Sequence, residues 1–187
     1  LAMNPSVLLA GDHLLAVIRG VNYRLDDPDQ SWPTLVYIRT CNYLARIAFD
    51  GSIFEAREIG LTDSIPAAYP SQVLGFEDMR LFRWRGRLHA TATVRDRNPW
   101  MRCEIALITL DDDARIVELQ LLHGHEEERH QKNWMPGVDG DDLMFVYQCD
   151  PTTVLRYDAA THRVIVAGVH EPVLALDHLR GGSQLVR

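Results

Sequence analysis

No apolar run in the 187-residue sequence approaches the length of a membrane-spanning helix. Positive charge is scarce. The 26 acidic residues outnumber the 19 basic ones, and the net charge of -7 argues against a nucleic-acid-binding surface. Cysteine is scarce too. Cys41, Cys103 and Cys149 are odd in number, far apart and set in apolar runs. That excludes a disulfide framework and fits buried thiols in a reducing, cytoplasmic setting. There is no paired Cys-x-x-Cys, no phosphate-cradling glycine loop and no nucleophile elbow. Residues 1–5 lack the basic and apolar regions of a signal peptide. They and residues 185–187 read like interior sequence, so the chain is expected to be part of a longer one. A helical period is also missing. What is present is ordinary globular composition, 47% hydrophobic and 24% charged, enough for one domain with a real core.

Wherever a period is visible it is two, which predicts an all-β fold. Residues 6–10 and 13–19 read as strands around a Gly11-Asp12 turn. An acidic loop with two prolines separates them from strands at 35–38 and 44–49, and Asp50-Gly51 turns the chain into 53–59. A connector holding Pro66 and Pro70 leads to a hairpin over 79–94. Further strands are expected at 103–110, 116–122, 143–147, 154–157 and 164–167.

A weak repeat runs through this pattern. Polar residues precede a short apolar strand, a glycine turn and a strand opening near leucine. It occurs at Asn4, Gly11 and Leu14, at Asp78, Gly86 and Leu88, and at Asn133, Gly140 and Leu143. Arg180-Gly181-Gly182-Ser183 reads as a fourth start. Four-stranded units of about 40–50 residues are the mark of a β-propeller. About three to four blades are expected here, in a single domain over 1–187. The recurring polar residues would line the central channel. A propeller short of blades exposes unpaired edges, so another segment completes it or the chain associates.

The densest chemistry lies in Gly75-Phe76-Glu77-Asp78-Met79-Arg80-Leu81-Phe82. Strand neighbours point to opposite faces, so one of Glu77 and Asp78 should face the channel, with Arg80 on the face of Asp78. Glycoside cleavage needs such a carboxyl as acid on one side of the bond. The bland reading is a carboxylate–arginine pair tying blade to blade. Lys132-Asn133-Trp134 offers an anion contact and a hydroxyl contact, with Trp134 read as packing. Arg19 ends an apolar strand, where it needs a cavity or a carboxylate. Asn22 and Tyr23 read as loop-ordering residues. Residues 123–130 hold three histidines and three glutamates, yet their spacing matches no metal signature, and a solvated loop is expected. Arg95, Arg97 and Arg102 flank Asn98-Pro99-Trp100 as an anion-binding loop or a plain surface loop.

Taken together, Asn4-Pro5-Ser6, Arg19, Glu77-Asp78-Met79-Arg80, Lys132-Asn133-Trp134-Met135-Pro136 and Arg180-Gly181-Gly182 resemble glycoside hydrolase family 130. That family comprises β-mannoside phosphorylases and some hydrolases on a five-bladed propeller. Its Asn-Pro followed by an arginine is similar to Asn4-Pro5 and Arg19. Its Glu-Asp-Pro-Arg is similar to residues 77–80, with Met79 where proline is usual. The resemblance implies that Asp78 is the general acid, that Lys132 contacts phosphate, and that the sugar binds near Asn4, Arg19 and Arg80. Asn133 is the further candidate for substrate binding. The implied partner is an oligosaccharide or glycoside, with inorganic phosphate as co-substrate and no metal or organic cofactor. The implied function is inverting phosphorolysis of β-mannosides or related glycosides, or the close variants hydrolysis and glycosyl transfer. The alternative is a non-catalytic glycan-binding or scaffold propeller.

Overall fold

A computed structural model of the chain describes residues 2–23, 37–173 and 185. The architecture is all-β, in three sheets of four to five strands, each built on an antiparallel meander. The first holds β1 (Ala2–Ala10), β2 (His13–Val21), β3 (Ile38–Ile47) and β4 (Ile53–Glu58). Two short strands follow, β5 (Gly60–Leu61) and β6 (Val73–Leu74). The second sheet holds β7 (Glu77–Trp84), β8 (Arg87–Val94), β9 (Glu104–Leu110) and β10 (Arg115–Leu121). The third holds β11 (Met135–Asp139), β12 (Asp142–Cys149), β13 (Thr152–Asp158) and β14 (Arg163–His170).

The meanders repeat because their turn chemistry repeats. Each first hairpin closes on a two-residue turn with a left-handed glycine: Gly11, Gly86 and Gly140, at φ 68°, 74° and 59°. Such turns match the right-handed twist of the strands they join. The connection between the first two meanders straps them together. β5 adds in parallel to β10, and β6 returns to pair in parallel with the start of β3.

Packing explains the composition of the second sheet. Ala90, Ala92, Ala106 and Ile108 meet Leu15, Val17 and Leu44 of the first sheet. Phe82, Trp84, Ile105 and Leu107 meet Leu143, Phe145 and Leu155 of the third. With both faces buried, β9 is apolar almost throughout, whereas β8 alternates, with Ala90, Ala92 and Val94 on one face and the buried His89, Thr91 and Thr93 on the other. The first strands gather at the middle, where β7 lies against both β1 and β11. Ser6 fixes one of these contacts by accepting the Leu81 N–H at 2.9 Å on its hydroxyl.

Two strand expectations change. The pattern predicts separate strands at 35–38 and 44–49, but Ile38–Ile47 is one strand. Thr40 and Asn42 at its polar centre lie on the face of Arg19, toward the site described below. Residues 35 and 36 and the Arg180-Gly181-Gly182-Ser183 start lie outside the described residues. Asp150-Pro151 turns the chain from β12 into β13, through a cis peptide bond.

Candidate functional site

Each first strand opens on a left-handed residue, Asn4 at φ 47°, Asp78 at φ 51°, and Asn133, two residues before β11, at φ 61°. Asn and Asp tolerate this conformation better than other non-glycine residues. In β1 and β7 the residue sits in a break of register, between Met3 and Ser6 and between Glu77 and Arg80. The bulge turns its side chain toward the neighbouring sheet.

The six sequence-nominated residues come together there. Asn4 Nδ2 donates to Asp78 Oδ1 at 2.6 Å, and Arg19 NH1 donates to the same oxygen at 2.7 Å. Arg19 is 4% exposed, and its NH2 also reaches Thr40 Oγ1 at 3.3 Å and Glu77 Oε2 at 3.9 Å. Lys132 Nζ lies 3.9 Å from the same Glu77 oxygen. Arg80 NH1 donates to the Asp78 carbonyl at 3.5 Å, and its NH2 to Asn133 Oδ1 at 3.4 Å. A continuous polar chain therefore runs from β1 through β7 to the entrance of β11. Burial pulls the Arg80 pKa below its ordinary value, and the Asp78 charge opposes the shift.

Strict alternation along β7 does not hold. The bulge breaks the period, so Glu77 and Asp78 both reach Arg19. Their side chains are 14% and 27% exposed, Asp78 being the more open. Oδ2 of Asp78 makes no hydrogen bond among the described residues, whereas Oδ1 takes two.

Several residues that sequence reasoning passed over hold this group in place. Asn42 is buried opposite Arg19 in the β2–β3 register and donates to the Phe76 carbonyl at 2.8 Å. Asp96, also buried, accepts the Gly75 N–H at 3.0 Å. Gly75 has φ 96°, and a Cβ there would meet the Thr40 carbonyl oxygen at 2.4 Å, so the approach to Asp78 needs glycine. The signal in the sequence is buried amide or carboxylate side chains inside apolar runs, legible only once their partners are known.

Beside Lys132 and Asn133 lies a cleft of about 340 Å³, lined also by Arg129, His130 and Tyr147. Tyr147 donates to the Glu126 carboxylate, which Arg129 also holds at 2.6 Å. Burial and this bond push the Tyr147 pKa up to about 12, and Tyr147 with Arg129 lowers that of Glu126. The 123–130 loop is thus organised by ion pairs. No group of three metal-ligating side chains occurs among the described residues. Trp134 is buried against Phe145 and Tyr147, which makes it packing, as expected. Asn22 bonds the Tyr37 carbonyl and the Arg39 N–H across the loop base, also as expected. Arg97 donates to the Pro66 carbonyl and Arg102 to that of Glu127, which gives both a structural use.

The arrangement offers a carboxyl with one open oxygen, a buried guanidinium behind it, and a lysine-lined cleft on the side of the third sheet. Comparisons with family models, with curated proteins and with solved structures found no match for this chain.

Proposed function

We propose that the three sheets are consecutive blades of a β-propeller, and that their converging strand entrances form the active site of a carbohydrate-active enzyme. The reading joins the resemblance to glycoside hydrolase family 130 with one observation. Asp78, the implied acid, is held on a single oxygen by Asn4 and Arg19, and its other oxygen takes no hydrogen bond among the described residues. The substrate is a β-mannoside or related glycoside, and the reaction is inverting phosphorolysis or its hydrolytic or synthetic variant.

In this mechanism Asp78 gives the proton on Oδ2 to the leaving oxygen, directly or through a sugar hydroxyl, as the glycosidic C–O bond breaks. A phosphate oxygen forms the new bond to the anomeric carbon from the opposite face. Lys132 supplies positive charge to the phosphate, and the adjoining cleft brings Arg129 near it. Asn4, Arg19, Arg80 and Asn133 hold the sugar and fix the carboxyl. Asp78 then regains a proton from solvent. A cytoplasmic setting supplies the phosphate.

A second reading is favoured by a specific contact. Both donors on Asp78 Oδ1 come from the first sheet, so the carboxylate also ties two sheets together. A glycan-binding or scaffold propeller without turnover would use it in that way. Release of mannose 1-phosphate from β-mannosides in inorganic phosphate separates the two readings. Turnover is expected, with a loss of about 10²–10⁴-fold in Asp78→Asn. Activity that survives this substitution undiminished removes the role given to Asp78. Glycoside binding without any turnover favours the scaffold.

A further inference from the structure

The second sheet is covered on both sides, but the outward faces of the first and third sheets are built from the same kind of residue. On the first sheet, Val7, Leu9, Leu14, Ile18 and Tyr43 share the face turned away from the second. The registers Val7↔Ala16, Leu9↔Leu14 and Ile18↔Tyr43 place them together. Leu9 is 63% exposed, and Val7 and Tyr43 are exposed as well. On the third sheet, Met144, Val146, Val154 and Ile165 share the corresponding outer face, through Val146↔Val154 and the common partner Arg156 of Met144 and Ile165. Ile165 is 45% exposed. Contiguous apolar faces of this kind mark interaction surfaces.

We propose that the occupant is a second copy of this chain, bound head to tail, with the outer face of the third sheet on the outer face of the first. Continuity with packing already present inside the chain carries this. The first sheet lies on the second, and the second on the third, through the same faces of successive meanders. The third sheet ends on the face type that receives a following sheet, and the first begins on the face type that follows one. Both faces also carry charged side chains, Arg39 and Glu58 on the first sheet and Arg156 with the Asp158–Arg163 pair on the third. A head-to-tail contact closes when the rotation allows it. Two copies give six sheets, within the propeller range of roughly four to eight blades. The inference does not depend on the enzymatic reading.

Light scattering on the purified chain, coupled to size exclusion, tests it. The expected mass is twice the 21.3 kDa of one chain. Leu9→Lys and Ile165→Lys, both at exposed positions, should each give a monomer with an unchanged far-ultraviolet spectrum. An equimolar mixture of the two variants should recover dimer, because the intact third sheet of one meets the intact first sheet of the other. A monomeric parent chain overturns the proposal and leaves the faces to a different partner, including further sheets of the five-bladed kind. A dimer broken by only one substitution overturns it as well, since that is one face meeting itself. Failure of the mixture to recover dimer contradicts the head-to-tail arrangement.

Discussion

Replacing Arg19 by methionine removes the cation around which the candidate site is assembled. The guanidinium is 4% exposed and lies 2.7 Å from Asp78 and 3.9 Å from Glu77. At an effective dielectric of about 20, a pair at the shorter distance attracts by about 6 kcal/mol before desolvation is subtracted. Removing one partner of a buried pair costs about 3–5 kcal/mol, because the other charge is left unpaired. Here Asn4 still holds Asp78, Lys132 still faces Glu77, and Asp78 is 27% open to water, so the lower end, about 3 kcal/mol, is expected. With a urea slope of about 2 kcal/mol/M, the unfolding midpoint should fall by about 1.5 M. Part of any loss is shape, since methionine cannot reach Thr40 as Arg19 does at 3.3 Å. A double-mutant cycle with Asp78→Asn isolates the pair, and a coupling of at least about 1.5 kcal/mol is expected. A coupling below about 0.5 kcal/mol would refute the reasoning, because Asp78 would then owe its position to the backbone bulge alone.

Gly75→Ala should destabilise by about 2–3 kcal/mol, read as a urea midpoint, because φ is 96° and the new Cβ would meet the Thr40 carbonyl oxygen. Lys132→Gln should change stability by less than about 0.5 kcal/mol, since its side chain is 41% exposed, yet should raise the KM for phosphate. Unchanged phosphate dependence would place the anion elsewhere. His89 is buried beside Phe82 and Trp84, and burial, with Arg87 nearby, lowers its pKa below the ordinary 6.5. The unfolded chain therefore takes up a proton that the folded chain resists. Its contribution is fully present above about pH 6.5 and is lost as the pH falls through the depressed folded value. Urea midpoints measured from pH 8 to pH 5 should drop in this window, and His89→Gln should flatten the drop. Trp134→Ala should cost about 3–5 kcal/mol through the void left against Phe145 and Tyr147.

What the sequence made legible depended on local backbone demands. Gly11, Gly86 and Gly140 could be read as turns because left-handed hairpin positions select glycine. Asn4, Asp78 and Asn133 could be read as a repeat because the same backbone region, one element earlier, selects Asn and Asp. The six residues that the structure brings together were therefore nominated from spacing and resemblance. Residues whose role is set by distant partners were not legible. Asn42 looks like a break in an apolar strand until the Phe76 carbonyl, far along the chain, is placed against it. β5 and β6 are two residues each and owe their existence to parallel pairing with β10 and β3. Alternation failed at Glu77 and Asp78 because one bulge residue shifts the period, and nothing in the local sequence announces it.

The anomeric outcome of the reaction tests the central claim most directly. A β-mannoside incubated with the chain and inorganic phosphate can be followed by proton NMR at the anomeric position. The expected first product is α-mannose 1-phosphate, formed by attack opposite the departing group, at a rate about 10²–10⁴-fold lower with Asp78→Asn. Formation of β-mannose 1-phosphate, or undiminished turnover by the Asp78 variant, would contradict it.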